Sequence, residues 1–144
     1  MNKRNALLLI HIPVWIVAIL TAWFFSSDDV PAGHPNYVLF ATITLSFWFL
    51  ASFYTFYSFL VPKYVGRANH QAFWIYAVLF VVIIMPFIVL ALAQITKVAA
   101  LSMSEYLSGE VLLPWAGIAL GTLFCGVLGV LYRKIVSRII EGRM

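Results

Sequence analysis

The side chains in this sequence that have chemistry to offer are few and scattered. His11, His34 and His70 are the histidines, Cys125 is the lone thiol, and Gln94 is the one carboxamide inside an apolar run. Haem held between helices takes its axial ligands from side chains that face each other. Only His11 lies within an apolar run, about one and a half turns from its start, while His70 sits in the connection before the third run. An interfacial or helix-bonding role suits both better than ligation. His34 lies close to Asp28 and Asp29. That trio offers a divalent-cation or pH-responsive site, set against the simpler reading of a solvated turn. One cysteine cannot form an internal disulfide, and Cys125 suits a small packing position. There is no glycine-rich phosphate loop, nucleophile elbow or zinc-binding helix. The expectation is therefore no catalytic residue, no cofactor and no metal ligand, and a chain that is not an enzyme.

What must position these side chains is lipid-embedded helix. Of 144 residues, 64% are hydrophobic and 10% charged, with a mean hydropathy of +1.01. A soluble domain is about half apolar and about a quarter charged, so this chain has more apolar surface than a core of its size can hide. Spanning a bilayer takes about 20 apolar residues. Four runs qualify, at about 6–25, 37–61, 72–96 and 111–132, and none has an acidic or basic residue in its interior. The first run ends Ala22-Trp23-Phe24-Phe25-Ser26, too bulky for a signal-peptidase site, so it is read as a span. Short connections between spans force antiparallel neighbours. The expected fold is all-α, a single transmembrane domain built as an antiparallel four-helix bundle.

Charge sets the orientation. Lys3 and Arg4 precede the first run, Lys63 and Arg67 separate the second from the third, and Arg133, Lys134, Arg138 and Arg143 follow the fourth. These alternate onto one side. Asp28, Asp29, Glu105 and Glu110 fall on the other, with Lys97. The positive-inside rule places both termini in the cytoplasm. The net charge of +4 is thus explained by topology, and no nucleic-acid partner is expected.

Within the spans, several patterns bear on packing. Pro13 and Pro86 interrupt helices and serve as bends or hinges. The second run is dense in aromatics and hydroxyls. Trp48, Ser52, Tyr54 and Thr55, with Gln94, are the candidates for an apolar pocket, against ordinary bundle packing. Gly117, Gly121, Cys125 and Gly129 fall at four-residue spacing on one helix face. Small residues there allow close approach of another helix, from this chain or from a second copy. Leu131, Ile135 and Ile139 share a face that continues beyond Tyr132 into a basic amphipathic stretch at 133–144. It reads as the fourth helix leaving the membrane toward a cytoplasmic effector, or as a tail on anionic lipid.

The run from Phe53 to Tyr64, ending Leu60-Val61-Pro62-Lys63-Tyr64, resembles the membrane region of LytS-like bacterial sensor histidine kinases. There an aromatic second helix closes on Leu-Val/Ile-Pro-Lys/Arg-aromatic before a third span. His11-Ile12-Pro13-Val14-Trp15 is similar to the His-x-x-x-Trp that opens the first span in that family. The resemblance implies a sensory module whose exit helix leads to a kinase core. This sequence ends at Met144 with neither the phospho-accepting histidine nor the ATP-binding domain, so no catalytic residue carries over. The expected function is a sensory or anchoring module. Its partners would be the bilayer, a second copy or another membrane protein, and a cytoplasmic effector. A small structural or lipid-binding subunit is the alternative. A small transporter or cofactor-binding protein comes third, since ion pathways usually need intramembrane acids.

Overall fold

The computed structural model describes residues 3–28, 30, 36–65, 67–95 and 112–141. Asp29 and His34 of the proposed cation trio, Lys97, Glu105, Glu110 and Arg143 lie outside the described residues, as do the side chains of Lys3 and Arg4. All regular structure among the described residues is helical. α1 covers Lys3–Asp28 and α2 covers Tyr37–Tyr54. The second rod then continues in wider π-helical turns over Thr55–Val65. The third rod is α3 (His70–Leu79), a π-helical turn at Phe80–Ile84, and α4 (Met85–Ile95). The fourth is α5, Leu112–Glu141. All four are long and apolar enough to cross a membrane.

Side-chain contacts fix the packing directions. Trp15 meets Tyr54 and His11 meets Tyr57, so α1 runs against the second rod. Trp48 meets Thr122 and Tyr57 meets Arg133, so α5 runs with it. Phe56 packs on both Phe73 and Phe80 of the third rod. The result is an up-down-up-down bundle with Lys63, Arg67, Arg133, Lys134 and Arg138 toward one end and Asp28 toward the other.

The bundle is uneven. The second, third and fourth rods share two clusters, one around Phe56, Leu60, Ala77 and Val81, the other around Met85, Val89, Leu90 and Ile118. α1 stands outside both. Only 6% of its apolar stretch is buried, against 22 to 33% for the others. Among the described residues no Cα of α1 comes within 8 Å of any helix except α2. The buried face of α1 is a run of small residues, Ala18, Ala22 and Ser26, whose four-residue spacing puts them on one stripe. Outward-facing Trp74, Phe87 and Leu120 are each more than half exposed, as lipid-facing side chains must be.

One boundary differs from the sequence expectation. Pro62 was expected to end the second span, but helix continues through it to Val65. His70 was expected in the connection, yet it opens α3, with the Asn69 side chain accepting from the Ala72 N–H at 3.2 Å. The inner connection is correspondingly tight, closed by Ala68 N–H to Val65 O and Asn69 N–H to Tyr64 O. Ala68 takes a left-handed conformation there, with φ of 57°.

Candidate functional site

Two features stand out, and α5 builds both. The first is a set of polar ties. An intrahelical proline has no N–H for the carbonyl a turn behind it, and in lipid that carbonyl needs another donor. Pro86 deprives the carbonyl of Val82, four residues back. Trp115 Nε1 of α5 donates to that oxygen at 2.6 Å. Pro62 sits in π-helical turns, where the orphan is five residues back, at Tyr57. Arg133 Nη1 of α5 donates to the Tyr57 carbonyl at 3.1 Å, with its guanidinium 5.3 Å from the Tyr57 ring centre. Pro13 crowds the preceding turn of α1, and the Tyr132 hydroxyl of α5 donates to the Ile10 carbonyl in that turn. The breaks at Pro86 and Pro62 are thus each met by one side chain of the same helix. At Pro13 the carbonyl four residues back is that of Leu9, and the Tyr132 bond goes to its neighbour Ile10. The tie at Tyr57 is also why helix survives past Pro62.

The second feature is an apolar groove of about 750 Å³ between α1 and α5. It exists because those helices pack on opposite flanks of α2 without touching at the backbone. Phe49, Leu50 and Phe53 of α2 form its floor. Val17 and Thr21 stand on the α1 wall; Cys125 and Leu128 stand on the α5 wall. At the basic end Tyr132 crosses from α5 to α1.

An aromatic and polar cluster adjoins that end. Trp15 Nε1 donates to the Tyr54 hydroxyl at 3.0 Å, and this hydroxyl lies 3.1 Å from His11 Nδ1. Indole nitrogen only donates. Tyr54 therefore accepts from Trp15, and its bond with His11 Nδ1 runs in the direction set by the imidazole tautomer. Tyr57 holds the other side of His11, edge-on at 5.1 Å, and stacks with Phe53. Among the described residues no group of three His, Cys, Asp or Glu is placed to hold a metal ion.

The sequence-selected residues fall in several places. In the small-residue stripe, a Cβ on Gly121 would lie 2.7 Å from Trp48 Cη2, and one on Gly129 would lie 2.6 Å from the Phe53 carbonyl oxygen. These two glycines therefore admit α2 of the same chain. Gly117 has open space where a Cβ would be. Cys125 is buried and lines the groove. Pro13 also lines the groove, and Pro86 is buried in the core. None of the five residues chosen as one pocket lines the groove. Trp48 donates to Thr122 Oγ1 at 2.9 Å in the core, and Ser52 is fully buried with its hydroxyl unpartnered. Tyr54 faces α1, Thr55 bonds its own helix at the Ala51 carbonyl, and Gln94 lies half-buried near the far end of α4. Helical geometry sets Tyr54 apart, because residues 48, 52 and 55 fall at i, i+4 and i+7 on one face while 54 lies about 120° away. Leu131 and Ile135 line the groove, and Ile139 is exposed one turn further on.

Three features were not singled out in the sequence. Gly126 also accepts the second rod, since a Cβ there would lie 2.6 Å from the Phe56 ring. The Ala18-Ala22-Ser26 stripe was detectable by the same four-residue rule that marks α5. The donors Trp115, Tyr132 and Arg133 carry no such periodic signal.

No family model matches this chain, and no curated protein or solved structure matches it either. Fold and composition together define the class: an integral membrane protein of four packed helices, in contact with the lipid bilayer.

Proposed function

We propose that the protein is a sensory or anchoring module of the bacterial cytoplasmic membrane, like the membrane part of LytS-like sensor kinases. It passes a change in helix packing through α5 to a cytoplasmic effector, working with a second copy or another membrane protein. The observation that carries this reading is the convergence on α5. Trp115, Tyr132 and Arg133 tie it to all three other rods, two of them at carbonyls that Pro86 and Pro62 leave without a donor. α5 is also the longest unbroken α-helix, at 30 residues. At 1.5 Å per residue it spans about 45 Å, some 15 Å more than a hydrocarbon core. A rod held at both ends of the bundle and projecting past it is suited to relay a shift or rotation. Two packings within a few kcal/mol would suffice.

The test fuses the end of α5 to a kinase core and measures phosphorylation. Trp115→Phe and Pro86→Ala should each alter output at unchanged membrane levels. Unchanged output from both removes the relay. Labelling of residues 63–67 and 133–138 on opposite sides of the membrane would remove the shared cytoplasmic end.

A further inference from the structure

We propose that the groove between α1 and α5 holds one acyl chain of an anionic glycerophospholipid, with the headgroup at the basic end. Three observations select this occupant. The first is size. The groove runs from Phe25 and Gly121 to Pro13 and Ile135, about 20 Å by helical rise, comparable to the roughly 15 Å depth of one leaflet's hydrocarbon. A single acyl chain fits along a groove of this length and volume. The second is wall chemistry. Floor and sides are almost wholly hydrocarbon, and the hydroxyl of Tyr132 closes the span between α1 and α5 at one end. A phenol belongs at the boundary between acyl chain and headgroup. The third is charge. Lys134 and Arg138 are exposed on α5 just past the groove, while Arg133 is engaged with Tyr57. Eight of the nine Lys and Arg residues belong to this side of the chain, against one acid, Glu141. A zwitterionic headgroup gains little from such a field; an anionic one gains at each charge.

This inference builds on the relay reading, because it supplies something that would shift α1 against α5. Binding and output are measured separately. A silent reporter on a protein that retains lipid removes the relay and leaves the site.

The full chain is placed in nanodiscs of phosphatidylglycerol and phosphatidylcholine with identical acyl chains, then released and weighed by native mass spectrometry. One phosphatidylglycerol should remain bound, preferred by roughly tenfold. Thr21→Trp and Leu128→Trp, on opposite walls, should each abolish retention. Ile83→Trp, on an exposed face of the third rod, should leave it unchanged. Lys134→Gln with Arg138→Gln should erase the headgroup preference. Equal retention of both lipids by the unaltered protein, or full retention in both wall variants, overturns the site. A measurement without variants accompanies it: phosphatidylglycerol carrying a diazirine on its acyl chain should crosslink to residues 13–25 and 121–135. Crosslinks spread evenly over all four rods overturn the proposal.

Discussion

α1 and α5 are both long membrane helices of similar composition, yet the bundle treats them differently. α5 is locked to the second rod by absent side chains, with Trp48 and Phe56 filling the space above Gly121 and Gly126. It is tied at both ends by donated hydrogen bonds. α1 packs on α2 through Ala18, Ala22 and Ser26, bonds it at Trp15 and His11, meets α5 through Tyr132, and leaves most of its surface to lipid. In a bilayer, burying apolar surface between helices brings no hydrophobic gain, so close packing and polar ties decide what is rigid. The contrast teaches that the three inner rods form a core and that α1 packs on it from outside.

The strongest way to break that contrast is at Gly129. A Cβ there meets the Phe53 backbone oxygen, which cannot swing aside as a ring can. Gly129→Leu should cost about 3 kcal/mol through overpacking, read as lost stability of the whole bundle in a steric-trapping or detergent-unfolding assay. Gly117→Leu, three four-residue steps away on the same stripe but with open space above it, should change little. Equal damage from both would mean that α5 is not seated on α2 as described.

The counterpart on the outer helix is Ala22→Leu. Ala22 is fully buried against α2, and added bulk should cost about 2 kcal/mol. Here the loss should be confined to α1, appearing as faster amide exchange over residues 8–28 while the three inner rods keep their protection. Exchange rising throughout would show that α1 belongs to the core.

These two cases also mark what the sequence discloses. Spans follow from the cost of charge in lipid, and the glycine stripe follows from helical periodicity, so both are legible in one chain. Which face a small stripe presents, to a sibling helix or to a second copy, depends on the partner's shape. Trp48 and the backbone at Phe53 answer that for Gly121 and Gly129, and neither is adjacent in sequence. Pro62 misleads because an α-helical rule predicts a stop, whereas π-helical turns and a donor 71 residues later, Arg133, keep the rod intact. The groove is the least legible feature. It is a space left between α1 and α5, and its walls come from three helices whose spacing no local pattern encodes.

A smaller effect sharpens the role of the ties. Trp115→Phe removes the donor to the Val82 carbonyl and should cost about 1 kcal/mol. In a Pro86→Ala background the backbone N–H of residue 86 is restored and can serve that carbonyl, so the same substitution should cost less. A double-mutant cycle measures the difference. A coupling of zero would mean that the indole is not replacing the bond that proline removes.

The smallest expected change separates a tie from a seam. Tyr132→Phe keeps the ring, and with it the contacts to Phe53 and Tyr57, but withdraws the hydroxyl from the Ile10 carbonyl. Polar contacts of this kind in membranes average about 0.6 kcal/mol, so bundle stability should barely move. The distance between α1 and α5 should respond more, because Tyr132 bridges two helices that have no backbone contact. Spin labels at Leu9 and Ser137 would report it as a broadened distance distribution in Tyr132→Phe, with a pair at Ser58 and Ser137 unaffected. If both pairs stay narrow, the α2 seam alone fixes α1. If both broaden, Tyr132 stabilises the core and the division between core and outer helix fails at the basic end.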